Sequence, residues 1–151
     1  MRVLHVNFAP FERSPGQAGG ITGYAANLAR AQRDLGYEVG VLSSGSAFSA
    51  HDGDELETPF LRPLPPVEGI DRLEIVNAPF LAPALWNFAQ AQREGHAPEL
   101  DEIVHQAVTQ WRADVVHLHS LEGLAASCIG AAKQAGARVV MSLHNHHPFC
   151  P

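Results

Sequence analysis

At 151 residues the chain is long enough to bury the core of one domain, and 46% hydrophobic against 17% charged residues is a globular balance that excludes a disordered tail. It holds no apolar run of transmembrane length, and 16 acidic against 10 basic side chains give a formal charge of −6, which disfavours a nucleic-acid partner or a polybasic membrane anchor. Cys128 and Cys150 make no disulfide framework and the opening run is too short for a signal peptide, so a cytoplasmic protein is expected.

Residues 2–8 are a near-continuous apolar run that stops at Pro10, the pattern of a buried central strand. Ser14, Pro15, Gly16, Gly19 and Gly20 mark Phe11 to Gly20 as a loop. Ile21, Tyr24, Ala25, Leu28 and Leu35 then recur at helical spacing, and Gly36 sits where a C-terminal cap belongs. Glu38 to Leu42 reads as a second strand, completing a βαβ unit. From Ser46 to Pro66 the chain is rich in Gly, Ser, Asp and Pro, an irregular excursion with room for one short strand.

Arg72 to Val76 alternates as an edge-side third strand, and Leu81 to Arg93 is moderately amphipathic. Pro98-Glu99 opens a better helix, with Leu100, Ile103, Val104, Ala107 and Trp111 on one face and acidic residues near its positive end. Asp114 to Leu118 is a fourth strand. Glu122 to Ala135 reads as a helix with Leu124, Cys128, Ala131 and Ala135 inward and Gly136 as its stop, and Arg138 to Leu143 is a fifth strand. Strands alternating with helices imply an α/β fold, a three-layer αβα sandwich with a mainly parallel sheet of Rossmann-like order 3-2-1-4-5.

Ligands of such sheets bind beyond the carboxyl ends of the strands. After the first strand, Gly19 and Gly20 precede the helix, where missing side chains and free N–H groups let a phosphate approach the backbone; a simple turn into the helix is the other reading. The spacing matches neither a dinucleotide fingerprint nor a P-loop. After the fourth strand, His117 and His119 share a face, and only His119 stands at the strand end, where its near-neutral pKa suits a sugar hydroxyl contact or a proton transfer. For His117 a histidine satisfied by neighbouring backbone is the simpler account.

After the fifth strand, His144, His146, His147 and Cys150 place four imidazole or thiol groups within seven residues. Adjacent His146 and His147 cannot readily share one tetrahedral centre and no paired Cys-x-x-Cys supports them, so no metal site is expected. A polar lip to an active site is the better reading. Cys128, Trp86 and Trp111 read as packing residues, and no nucleophile elbow or thiol catalytic pair is present.

Taken in order, Gly19-Gly20, the helix with Tyr24-Ala25-Ala26-Asn27-Leu28-Ala29, Leu35-Gly36-Tyr37-Glu38-Val39, Asp114-Val115-Val116-His117-Leu118-His119-Ser120, and Leu143-His144-Asn145 up to Phe149-Cys150-Pro151 resemble family-four glycosyltransferases of the GT-B fold. The resemblance spans both ends of the chain and skips its middle. It implies a two-domain enzyme that moves a sugar from a nucleotide-sugar donor to a sugar or lipid-linked acceptor, in polysaccharide or glycolipid biosynthesis, with retention and with no cofactor. Residues 1–151 would be its N-terminal, acceptor-side domain, truncated, with the C-terminal donor-binding domain missing and the fragment alone inactive.

By position, the resemblance puts the backbone of Gly19 and Gly20 near the donor diphosphate, His119 at the transferring sugar as the catalytic residue, and His144 and Asn145 along the same cleft. Lipid-linked acceptors would bring the protein to the inner face of the membrane as a peripheral partner, and the open sheet edge of a fragment invites self-association. Two rival readings use the same residues: a non-catalytic module binding a nucleotide or phosphosugar, and a histidine-rich metal-binding or interaction domain.

Overall fold

The computed structural model describes residues 1–11, 15–46, 58–79 and 95–144. Six strands form one sheet: β1 (Arg2–Asn7), β2 (Glu38–Ser46), β3 (Phe60–Val67), β4 (Ile70–Val76), β5 (Val115–Leu118) and β6 (Arg138–Met141), in the order β3-β4-β2-β1-β5-β6. Every neighbouring pair is parallel except β3 with β4, which is antiparallel. The five parallel strands therefore keep the expected 3-2-1-4-5 order, and β3 is added outside the strand that was expected at the edge.

β3 hides in sequence because Pro63, Pro65 and Pro66 lie within it. Proline cannot donate to a ladder, so such a strand survives only at an edge, where one side needs no donors. The turn into β4 takes Glu68 (φ 53) and Gly69 (φ 74) into the left-handed region, the backbone of a two-residue hairpin that matches strand twist. Arg30 Nε donates to Glu68 Oε2 at 2.7 Å, and Arg33 Nη1 donates to the Glu68 carbonyl at 2.6 Å, tying the hairpin to the helix beside it.

Among the described residues three helices cover the sheet: α1 (Pro15–Asp34), α2 (Pro98–Trp111) and α3 (Cys128–Gln134). The loop expected up to Gly20 is shorter than the sequence suggested, because helical backbone starts at Pro15 and breaks once, at Gly19 (φ 69, ψ 175). Of the residues at helical spacing in α1, Ala25 is buried and the largest are not. Tyr24 is 51% and Leu35 77% exposed, while Thr22, Ala25, Ala26 and Ala29 are buried, so the helix packs closely through small side chains. Gly36 (φ 86) ends it, with Tyr37 N–H on the Gln32 carbonyl at 3.1 Å.

α2 buries the face read from its sequence, Leu100, Ile103, Val104, Ala107 and Trp111, and adds Val108. α3 begins later than expected: 122–127 are turns that place Leu124 and Ala125 in the core, and regular helix starts at Cys128. Strand alternation sends Leu4, Val6, Leu42, Val116 and Leu118 into one core with α2 and α3, and Val39 and Val41 into a smaller cluster with Ala29 of α1. Cys128 is 1% exposed, and burial pushes its thiol up to about 12, which fits an inert packing residue. The segment Leu81 to Arg93 and Trp86 lie outside the described residues.

Trp111 closes the core at the β1–β2–β4 seam, its Nε1 donating to Asp71 Oδ2 at 2.9 Å and the Arg2 guanidinium lying 4.7 Å from its ring centroid. Gly40 makes room for it: a Cβ there would stand 2.8 Å from Trp111 Cε2 and Cζ2 and 3.2 Å from Leu4 Cδ1. The indole is pinned at its nitrogen and its face, so it cannot swing clear. Gly40→Ala is expected to cost about 1–3 kcal/mol of stability by overpacking and to lower the thermal midpoint by roughly 3–10 °C. An unchanged melt, followed by tryptophan fluorescence, would show that the ring is free to move.

Candidate functional site

The face of the sheet turned towards α1 is polar at its centre. On β1, period two sends Leu4 and Val6 to the apolar core and leaves His5 and Asn7 on the opposite face, both 0% exposed. On β5 the same alternation puts His117 and His119 there, and His117 is the register partner of His5. The His119 N–H donates to the Val6 carbonyl at 2.9 Å, so the β1–β5 ladder runs one residue past the regular strand and fixes His119 at its carboxyl end.

Four imidazoles meet there. His5 Nδ1 lies 2.8 Å from His119 Nε2, and His5 Nε2 lies 2.7 Å from Gln32 Oε1 of α1. His119 Nδ1 is 3.4 Å from His144 Nε2, and His117 Nε2 is 2.8 Å from Ser142 Oγ. The rings of His117 and His119 stack with centroids 4.3 Å apart, and Tyr24 stands edge-on to His144 at 4.8 Å. Burial, helped by its imidazole neighbours His117, His5 and His144, holds His119 down at about 3. Burial likewise takes His5 down to about 4 against the opposing pull of the Gln32 hydrogen bond, and it lowers His117 as well. At neutral pH these three rings are uncharged.

The four expected site residues within the described chain fall into two groups. His119 and His144 are brought together, but His119 is 2% exposed, beneath Tyr24 and His144 rather than on an open lip. Gly19 and Gly20 are both exposed at the break in α1, and a Cβ on either would meet nothing within 4 Å. Their backbone is therefore open to an approaching ligand, and Gly19 alone needs its glycine conformation. Asn7 ties β1 to α1, donating through Nδ2 to the Ala9 carbonyl and to Thr22 Oγ1, both at 2.9 Å. Asn145, His146, His147 and Cys150 lie outside the described residues. His117 is satisfied by the Ser142 side chain, where backbone groups were expected.

Sequence reasoning missed His5, Gln32 and Tyr24. The signal for His5 was present: His5 and Asn7 alternate within an apolar central strand, which puts two polar side chains on one buried face. Gln32 had no such signal, because it meets His5 only through the packing of α1 on β1.

His5, His117 and His119 are also the described residues whose ring nitrogens could gather on a metal ion, all lying within 4.8 Å of one another. Tetrahedral zinc with bonds of about 2.0–2.1 Å keeps its ligand atoms roughly 3.4 Å apart. His5 Nδ1 and His119 Nε2 at 2.8 Å are closer than that and face each other as donor and acceptor. An ion would have to break that bond, so the arrangement as it stands is a hydrogen-bonded chain.

An α/β sheet with its polar residues gathered at the carboxyl ends of β1 and β5, beside an exposed glycine break at the head of α1, has the layout of a small-molecule site. Residues 19–150 match the model of the glycosyl transferase 4-like domain, and the chain belongs to that family. No curated protein and no solved structure matches it. No helix among the described residues is long and apolar enough to cross a membrane.

Proposed function

We propose that this chain is the N-terminal, acceptor-side domain of a GT-B glycosyltransferase that passes a sugar, with retention, from a nucleotide-sugar donor to a sugar or lipid-linked acceptor. The observation that carries the reading is His119, set at the carboxyl end of β5 in a family-matched chain and lying in one cluster with His144. In this reading the exposed backbone of Gly19 and Gly20, at the break in α1, approaches the donor diphosphate, with no basic side chain required. His119 contacts a hydroxyl of the transferring sugar or the acceptor, and Tyr24 and His144 form the cover over it.

The reading assigns the rest of the donor contacts to a C-terminal domain, since a cleft with one wall cannot hold donor and acceptor together. Polysaccharide or glycolipid assembly, at the cytoplasmic face of a membrane, is the setting that such acceptors imply. The test is a donor and acceptor screen on the full-length gene product beside residues 1–151 alone. Sugar transfer by the full-length protein and none by the 151-residue chain is the expected result. Tight nucleotide binding by the short chain, with no turnover by the longer one across a broad screen, would replace the transferase with a binding module.

A further inference from the structure

A neutral imidazole has one donor nitrogen and one acceptor, so fixing one end of a chain of such rings fixes all of them. Here the fixed end is Gln32. Its Oε1 can only accept, so His5 Nε2 must carry the proton that bridges the 2.7 Å gap. His5 Nδ1 is then an acceptor, and across 2.8 Å His119 Nε2 must donate to it. That leaves His119 Nδ1 as a lone pair, turned away from the sheet centre towards His144 Nε2 at 3.4 Å. His117 takes no part, because its Nε2 is engaged by Ser142 Oγ.

We propose that Gln32 and His5 are positioning residues that hold His119 as its Nε2–H tautomer, so that the Nδ1 lone pair faces the sheet end as the acceptor for a substrate sugar hydroxyl. The identity of that hydroxyl rests on the transferase reading; the tautomer does not. In water a neutral histidine samples both tautomers, and the partner on one nitrogen decides what the other offers. Without Gln32 and His5, a part of the His119 population would present a proton from Nδ1 in place of a lone pair to the incoming O–H. The 3.4 Å contact to His144 is the longest link of the chain and the one at its half-buried end. A substrate hydroxyl would take the place of His144 there, with no change deeper in the chain.

The experiment uses nitrogen-15 histidine long-range correlation spectra of the 151-residue chain at pH 8, beside turnover of the full-length gene product. His5 and His119 should both show the Nε2–H signature. Gln32→Glu keeps an acceptor and cannot act as a donor, so it should preserve both signatures. Gln32→Leu removes the acceptor, and His119 should become a mixture. In turnover, Gln32→Leu should lower kcat by about 10-fold, the usual scale for a residue that orients a reacting one, with KM within about twofold. Gln32→Glu should restore the rate.

A wild-type His119 carrying its proton on Nδ1, or a tautomer indifferent to Gln32→Leu, would overturn the chain. So would stoichiometric Zn2+ uptake that abolishes the His5–His119 signature, which would make the three rings a metal site. Correct signatures with equal turnover of the Leu and Glu variants would overturn the positioning role. Correct signatures in a full-length protein with no transferase activity at all would remove the sugar hydroxyl and leave the chain.

Discussion

Acid should begin to destabilise this domain at about pH 6.5, before its carboxylates start to protonate. His5 and His119 are held at about 4 and about 3 chiefly by burial, while an unfolded histidine titrates near 6.5. Between those values the unfolded chain binds protons that the folded chain refuses, so stability must rise with pH across that window and fall as pH drops through it. Above pH 6.5 neither group contributes to the slope. At pH 4 a depression of this size costs on the order of 3 kcal/mol for each ring. Two such rings approach the total stability of a typical domain, roughly 5–15 kcal/mol.

The groups facing the pair reinforce the direction: His117 and His144 add positive charge if they protonate, and Gln32 is neutral. Thermal melts taken from pH 7 down to pH 4 should therefore show a falling midpoint, with a slope near pH 5 that corresponds to uptake of about two protons on unfolding. His5→Gln should remove about one of them. A midpoint flat from pH 7 to pH 4 would mean that water reaches these rings and that the buried chain does not persist in solution.

The parts of the fold that were legible are those whose burial follows a single period. α2 shows its buried face plainly, Leu100, Ile103, Val104, Ala107 and Trp111, because one side meets the sheet and the other meets solvent. The parallel strand order followed from alternation of strands with helices. β3 was legible only as one possible short strand between Ser46 and Pro66, because three prolines argue against a strand unless it is known to be an edge, and edge position is a property of the whole sheet. α1 was legible as a helix, but not which of its residues are buried. Tyr24 and Leu35 share its helical spacing but are exposed, and its close packing is made by alanines that carry almost no hydrophobic signal.

The candidate site divides in the same way. His119 could be found because a strand end is a position that sequence can place, but its depth could not, since that depends on Tyr24 and His144 arriving from α1 and from beyond β6. His5 sits in a run of apolar residues and was absorbed into it. Its pairing with His117 is set by strand register, and its contact with Gln32 by how far α1 lies from β1. Both are tertiary facts.

On the transferase reading proposed above, replacing His119 in the longer protein that it implies should be the most damaging single change to turnover. His119→Gln is the informative substitution, because a glutamine amide can still donate to His5 Nδ1 and fills much of the ring's volume, whereas alanine would leave a cavity and an unpaired buried nitrogen. The fold should survive and the chemistry should not. A ring held at about 3 is a hydrogen-bond partner more than a base, and losing one positioned hydrogen bond that the transition state needs costs about 10²–10³-fold, so kcat should fall by about 10²-fold. If the contact is made mainly in the transition state, kcat and kcat/KM should fall together while KM stays near its original value. Gln106→Ala, an exposed change on α2 remote from the cluster, should leave both unchanged. Turnover of His119→Gln within about threefold of the parent protein would contradict the assignment, and the search for the reacting group would then pass to the half-buried His144 and the exposed Tyr24 that cover it.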